Sequence, residues 1–306
     1  MKKILIYIPS YNRSNSLIKQ LSRLKNLVYN DNVIVYISDN CSTDKDYDSV
    51  RNYCGKYNNI IYDRNPANIG GNANIAKGFL LCDKAEYIWI LSDDDILKDN
   101  VFNEILNFLN YDIDILVFSH NKNIQKFNIV EYTINDIFYL FNDISCISNV
   151  IYKSELIKEY IRYAFEYMFT CFPHLAVLIK TLNERKIKAG ILKREKYFEP
   201  DFLPPVEGNV GYSKSYFGFV FLAELFNDKK IKRKFIDSWI SFLYLRHWFL
   251  KSRNAQTYSL LAYYYIKKNK SFFKMFDLKL IAWKILTPYY TKLKKIGKKI
   301  LGNRKI

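Results

Sequence analysis

Three consecutive carboxylates, Asp93, Asp94 and Asp95, are the residues of this chain whose type and spacing are best suited to chemistry. They close an apolar run, residues 87–91, that has the length and the β-branched and aromatic content of a buried strand. Adjacent anions repel, so a fold keeps three together where a cation or a set of donors faces them. At the mouth of a strand, the outer two carboxylates can share a hard divalent ion that keeps open positions for a substrate's phosphate oxygens. The alternative is a solvated acidic turn leading into a helix capped by Asp99. Placement at the end of an apolar strand favours the metal.

Other polar groups recur at the ends of apolar runs. Pro9, Ser10, Tyr11, Asn12 and Arg13 follow the first such run. Asp39, Asn40, Cys41, Ser42, Thr43 and Asp44 follow the second, with Asp44 read as a helix N-cap. Asn68, Gly70 and Gly71 lie in a turn-rich loop, residues 65–72, ahead of a helix. Neither a Walker spacing nor a dinucleotide fingerprint is present, and no GxSxG hydrolase elbow occurs.

The elements that must position these groups alternate. Strands are expected over residues 3–9, 33–38, 59–62, 87–91, 113–119 and 149–152. Helices are expected over 14–28, 46–57, 73–82, 99–109, 154–165 and 172–182. That order implies an α/β fold: a mostly parallel central sheet with helices on both faces. Ligands of such sheets bind beyond the carboxyl ends of the strands, so one crevice can collect Pro9, Ser10, Asp39 and the acidic triplet. Residues 199–211 hold too many prolines and glycines for regular structure, and from about residue 213 the pattern is helical.

Charge divides the chain. Of its net +17, residues 229–306 hold 21 Lys or Arg against two acids, while residues 1–228 hold 26 basic and 28 acidic side chains. We expect a domain over 1–212 and a helical, basic C-terminal region over 213–306. Within it, residues 272–306 read as an amphipathic segment: Leu293, Ile296 and Ile300 share a helical face ringed by lysines. The apolar run after Met1 ends at Pro9, too soon for a signal peptide, and none is long enough to span a bilayer. Five cysteines, odd in number and without CxxC spacing, suit reduced thiols and a cytoplasmic location. A basic nucleic-acid-binding protein is the competing class, but the tail lacks a nucleic-acid module.

The motif order resembles the family 2 inverting glycosyltransferases: residues 9–13, then 39–44, then Asn68 to Gly70, then Asp93 to Asp95 as a DxD motif. The resemblance implies a GT-A nucleotide-sugar-binding domain that transfers a sugar from a nucleoside diphosphate, with Mn²⁺ or Mg²⁺. It implies that Pro9, Ser10 and Tyr11 contact the nucleobase, and that Asp39 accepts from a pyrimidine N3–H or simply forms a turn. Arg13 either reaches a phosphate or is a solvated helix-start charge. Asn68 and Gly70 approach ribose or phosphate, Asp93 serves ribose or metal, Asp94 orients the loop, and Asp95 holds the metal. The family's catalytic acid falls at residues 171–175, where the titratable group with a suitable ordinary pKa is His174. His174 is either the general base or a structural histidine at a helix start, with Glu166, Asp201 and Glu207 in reserve. His120 follows a strand and either touches the site or packs in the core or at the surface, with packing favoured. The implied setting is capsule, O-antigen or lipooligosaccharide assembly, with a lipid-linked glycan acceptor and the enzyme peripheral on the inner face of the membrane, at its anionic surface. A catalytically inactive nucleotide-sugar binder would share every motif.

Overall fold

The structure, a computed structural model, describes residues 2–27, 30–200 and 219–246. The expected boundary at 212, the reserve acids Asp201 and Glu207, and the basic segment 272–306 lie outside the described residues. The strands are β1 (Lys2–Ser10), β2 (Val33–Asp39), β3 (Ile60–Arg64), β4 (Ala85–Ile90), β5 (Ile115–Ser119), β6 (Asn128–Tyr132), β7 (Val150–Lys153) and β8 (Ile187–Lys193). The α-helices are α1 (Ser14–Arg23), α2 (Tyr47–Cys54), α3 (Gly71–Phe79), α4 (Phe102–Phe108), α5 (Phe141–Ile144), α6 (Ser154–Glu166), α7 (Pro173–Glu184), α8 (Arg194–Tyr197) and α9 (Lys229–Arg246).

Among the described residues the strands form one eight-stranded sheet in the order β3-β2-β1-β4-β7-β5-β8-β6. β1 pairs in parallel with β2 and β4, and β2 with β3. β7 runs antiparallel to both β4 and β5, which restores the common direction, and β8 is parallel to β5. Only β6, at the edge, also runs against that direction. The sheet is therefore mostly parallel, as expected, and the carboxyl ends of β1, β2, β4, β5 and β8 share one edge. This edge is where ligands bind in such sheets.

Both faces are covered. Alternate residues of β1 serve different layers: Ile4, Ile6 and Ile8 join Leu17 and Leu21 of α1, Val50 of α2 and Ile105 of α4 in one apolar cluster. Tyr7, on the opposite face, meets α3, where a Cβ on Gly78 would lie 2.6 Å from the Tyr7 ring. α6 packs beside α3 and α7 and against β4 on that same side. Strands buried on both faces read as continuous apolar runs, which is why residues 4–8 and 87–91 stand out in the sequence.

Two strands were not expected. β6 and β8 carry glutamate or lysine on their outer positions, so their periodicity is weak. Helix α1 stops at Arg23, earlier than expected. Asp99 does not cap α4; it pairs with Arg23 at 2.5 Å, and the N-cap position is Val101. The chain divides into two compact units, Met1–Lys232 and Arg233–Ile306. In the first unit, a 3-10 turn over Phe219–Leu225 returns to α7, where Asn183 donates to the Leu225 carbonyl. Of the second unit, the described part is the continuation of α9. Among the described residues no helix is long and apolar enough to cross a membrane.

Candidate active site

The acidic triplet sits just beyond β4, and among the described residues two arginines face it. Arg13, at the start of α1, places Nη1 at 3.0 Å from Asp93 Oδ1 and 2.5 Å from Asp94 Oδ2. Arg194, the first residue of α8, places Nη2 at 2.6 Å from Asp95 Oδ1. Arg13 was a candidate from the sequence; Arg194 was missed, because the strand that delivers it was missed. The charge count held the signal: three carboxylates held together require opposing charge.

Asp93 is turned inward and 2% exposed. Ser10 Oγ donates to its Oδ2 at 2.6 Å, and Tyr47 OH lies 2.5 Å from the same Ser10 oxygen. Burial pushes the Asp93 carboxyl up to about 6, against the pull of Arg13 and Ser10. The triplet's backbone is pinned too. Ser16 Oγ donates to the Asp93 carbonyl, Gln20 Nε2 to the Asp95 carbonyl, and Ser148 Oγ accepts from Ser92 N. Helix α1 thus fixes the position of the loop as well as its charge. Asp94 also accepts from Ser92 Oγ at 2.5 Å.

The ends of β1 and β2 are joined by polar groups from both loops. Asn12 adopts φ 52°, and its Oδ1 accepts from Thr43 N at 2.8 Å while its own N–H donates to Ser42 Oγ. Asp44 is not a helix N-cap, since Asp46 holds that position for α2 and Arg13 for α1; its Oδ2 accepts from Ser14 Oγ at 2.5 Å and Ser14 N at 3.4 Å, at the head of α1. Pro9 pairs with Ser38 within the sheet, and the Tyr11 ring is exposed beside these loops. Asp39 is fully buried, accepting from Ser42 N at 2.8 Å, Tyr62 OH at 2.6 Å and Arg64 Nη1 at 2.7 Å. Burial works to raise its pKa, but these hydrogen bonds outweigh it and hold the carboxyl below the usual carboxylate range. Asn68 accepts from Asn40 Nδ2 at 2.8 Å and from Gly70 N at 2.9 Å, and Gly70 takes φ 87° at the N-cap of α3. That conformation suits glycine. Pro9, Ser10, Tyr11, Arg13, Asp39, Asn68, Gly70 and the triplet therefore line one edge of the sheet.

His174 does not join them. It is 2% exposed at the head of α7, with Nε2 3.2 Å from the Ser145 carbonyl and Nδ1 buried without a hydrogen-bond partner. Burial pushes its pKa down to about 4. Of the two readings open for this residue, the geometry is that of an interior histidine. Glu166 ends α6 as a half-exposed side chain 3.5 Å from Arg162. His120 stands half-exposed at the end of β5, outside the core, with Nδ1 2.9 Å from Asp143 Oδ1.

Among the described residues no three His, Cys, Asp or Glu side chains converge as a ready-made metal cluster. A small hard ion is commonly held by one or two carboxylates together with the substrate's phosphates, and the donor set here fits that pattern. Asp95 is 15% exposed, and its Oδ2 lies 3.9 Å from Cys146 Sγ. Asp94 is a third exposed. Asp93, enclosed by Ser10 and Arg13, is the poorer ligand of the pair expected from the sequence.

Comparison with known proteins supports the motif reading. The sequence profile described as glycosyl transferase family 2 matches residues 5–184. Abequosyltransferase RfbV of Salmonella typhimurium is 26% identical over 203 residues, which is 58% of this chain and 60% of that protein. The match thus spans less than two thirds of that curated relative. Staphylococcus aureus TarS (residues 1–349) in complex with UDP-GlcNAc superposes with a TM-score of 0.60 at 16% identity, covering 85% of this chain and 79% of that one. The TarS complex with UDP gives 0.56 at 17% identity, covering 82% and 75%. Likeness at these identities concerns the fold.

Proposed function

Since this chain belongs to glycosyl transferase family 2, we propose that it transfers a sugar from a nucleoside-diphosphate donor, with inversion, to a glycan acceptor. The setting we infer is bacterial surface-polysaccharide assembly (capsule, O-antigen or lipooligosaccharide) with the acceptor on a lipid carrier. An abequosyltransferase among its relatives and a UDP-GlcNAc complex among its structural neighbours support a nucleotide-sugar donor. The observation that carries the reading is Arg13 bridging Asp93 and Asp94 beside Ser10. Motifs some 80 residues apart meet at the sheet edge where such folds bind ligands.

In this reading the nucleobase lies against Tyr11 and the ends of β1 and β2. Asp39 meets the base after the partly exposed Arg64 turns aside. Ribose approaches Asp93 and the loop of Asn68 and Gly70. Arg13, released from Asp94, reaches a phosphate oxygen, where its fork can bind in a bidentate manner. Asp95, assisted by Asp94 or Asp93, would hold Mn²⁺ or Mg²⁺, which supplies charge compensation to the leaving diphosphate. Arg194 balances the charge of Asp95 and orients it. Inverting transfer is one in-line displacement, so the chain must also present a base on the side away from the diphosphate.

The test is a panel of nucleotide sugars with the full-length protein and Mn²⁺ or Mg²⁺. Nucleoside diphosphate release from at least one donor is expected. Release from none, with thermal stability also unmoved by UDP, CDP, GDP or TDP, would exclude the transferase. Stabilisation by a nucleotide without release would identify an inactive binder.

A further inference from the structure

The geometry points to His120 as the group that takes the proton from the acceptor hydroxyl, held in register by the buried carboxylate of Asp143. This assignment rests on the glycosyl-transfer reading above and supplies the base that reading lacks.

Position is the first argument. His120 immediately follows β5, whose carboxyl end lies on the same edge as those of β1, β2 and β4. Only β7 separates β5 from β4, so the two strand ends stand roughly 10 Å apart. In an in-line displacement the anomeric carbon and the attacking oxygen lie between the leaving oxygen and the base. Each of the two open approaches takes about 3 Å. A base one intervening strand away from the diphosphate site is therefore in range; one among the triplet itself would be on the wrong side of the sugar.

Orientation is the second argument. Asp143 is 6% exposed. Its Oδ1 receives both the His120 backbone N–H and Nδ1, each at 2.9 Å, and its Oδ2 receives Ser119 Oγ at 2.5 Å. Burial works to raise the Asp143 pKa, but these bonds outweigh it and hold the carboxyl below its usual range. An ionised carboxylate at Nδ1 fixes the proton there and leaves the lone pair on Nε2. The ring is 51% exposed, so Nε2 is open to an incoming hydroxyl. His174 has the opposite arrangement, enclosed and facing a backbone carbonyl.

A continuous set of bonds ties this pair to the triplet. Asn149 Nδ2 donates to the Asp143 carbonyl at 3.2 Å, Arg194 Nε donates to Asn149 Oδ1 at 2.9 Å, and Arg194 Nη2 reaches Asp95. Two side chains thus set the spacing between the proposed base and the proposed diphosphate site. Beside His120, Asn121 Nδ2 holds Tyr139 OH at 3.2 Å, and the Tyr139 ring is 67% exposed. An amphipathic ring of this kind suits the apolar face of an acceptor sugar.

The acceptor oxygen forms its bond to the anomeric carbon as the bond from that carbon to the diphosphate oxygen breaks. The electron pair of the broken bond leaves with the nucleoside diphosphate. The hydroxyl proton passes to His120 Nε2, and the resulting imidazolium is stabilised by Asp143.

The experiment measures nucleoside diphosphate release from a donor that the wild type turns over, with a panel of methyl glycosides as acceptors. His120→Ala should lower kcat about a hundredfold or more, with the Kd for the free nucleoside diphosphate unchanged. Added imidazole should restore a measurable part of that rate in His120→Ala and none in the wild type. Asp143→Asn should lower kcat while leaving the donor KM unchanged; His120→Ala carries the test if Asp143→Asn fails to fold. Wild-type kcat in His120→Ala overturns the assignment alone. So does loss of rate without imidazole rescue. A wild type that turns over no donor overturns the transferase reading and this assignment with it.

Discussion

Asp95 and His174 show how burial changes the meaning of a residue. Read as an exposed strand-end acid, Asp95 would be dispensable for folding. In the structure it faces Arg194, whose side chain is only 7% exposed. Removing Asp95 takes one charge-assisted hydrogen bond from a buried guanidinium. Asp95→Ala should therefore destabilise the chain by about 1.5 to 3 kcal/mol as well as abolish metal-dependent donor binding. Denaturant unfolding of Asp95→Ala against Asp95→Asn separates the two effects, since the amide can still accept from Arg194. Unchanged stability in Asp95→Ala would show that this bond does not hold the fold. His174 makes a second prediction. Its folded pKa, about 4, lies below the ordinary value of about 6.5, so the unfolded chain binds the proton more readily. Its contribution to stability is complete above pH 6.5 and is lost as pH falls from there through 4. His174→Gln can still donate to the Ser145 carbonyl but does not titrate. It should flatten the decline in unfolding free energy between pH 7 and pH 4.5, as measured by urea unfolding at each pH. An equally steep decline in the variant would place the acid sensitivity elsewhere.

At the scale of elements, the strands and helices that carry the candidate site are those most legible in the sequence. β1, β2 and β4 are buried on both faces, so their apolar runs are continuous, and the polar residues that end them mark the sheet edge. β6 and β8 were not legible because the lysines and glutamate on their outer positions break the pattern. Their pairing partners lie 55 to 74 residues away in the chain, beyond the reach of any local rule. Missing β8 meant missing Arg194, and with it the charge that balances Asp95. Helix α3 depends on a contact that no local pattern reveals. A Cβ at Gly78 would lie 2.6 Å from Tyr7 and 2.7 Å from Ile90. Tyr7 cannot give way easily, because it is fully buried and its hydroxyl donates to the Asn74 carbonyl at 2.7 Å. Gly78→Ala gains helix propensity yet should still destabilise by about 1 to 3 kcal/mol through overpacking. A rise in the thermal midpoint of Gly78→Ala would show that α3 shifts freely on the sheet.

For the whole molecule, the charge excess belongs to one end. The 21 basic residues against two acids in residues 229–306 motivate the proposal that this end holds the protein to an anionic membrane surface, near a lipid-linked acceptor. Each lysine close to such a surface adds about 1 kcal/mol, so a cluster of five within residues 292–299 suffices for reversible binding. Flotation with phosphatidylglycerol-containing liposomes at low salt is the measurement. The full chain should rise with the lipid and a chain ending at Ser271 should not; equal behaviour of the two would remove the anchor. By itself the sequence determined the α/β class, the family and the strand ends at which polar residues gather. These depend on periodicity, on the short range of turn chemistry and on motif order, all of which are properties of neighbours along the chain. Only the tertiary structure decided which charges meet. It turned Asp93 inward onto Arg13 and Ser10, set Arg194 against Asp95, enclosed His174 and stood His120 on a buried carboxylate. Burial and ion pairing depend on which elements lie side by side in the sheet, and residues about 100 positions apart become partners only when the strand order is known.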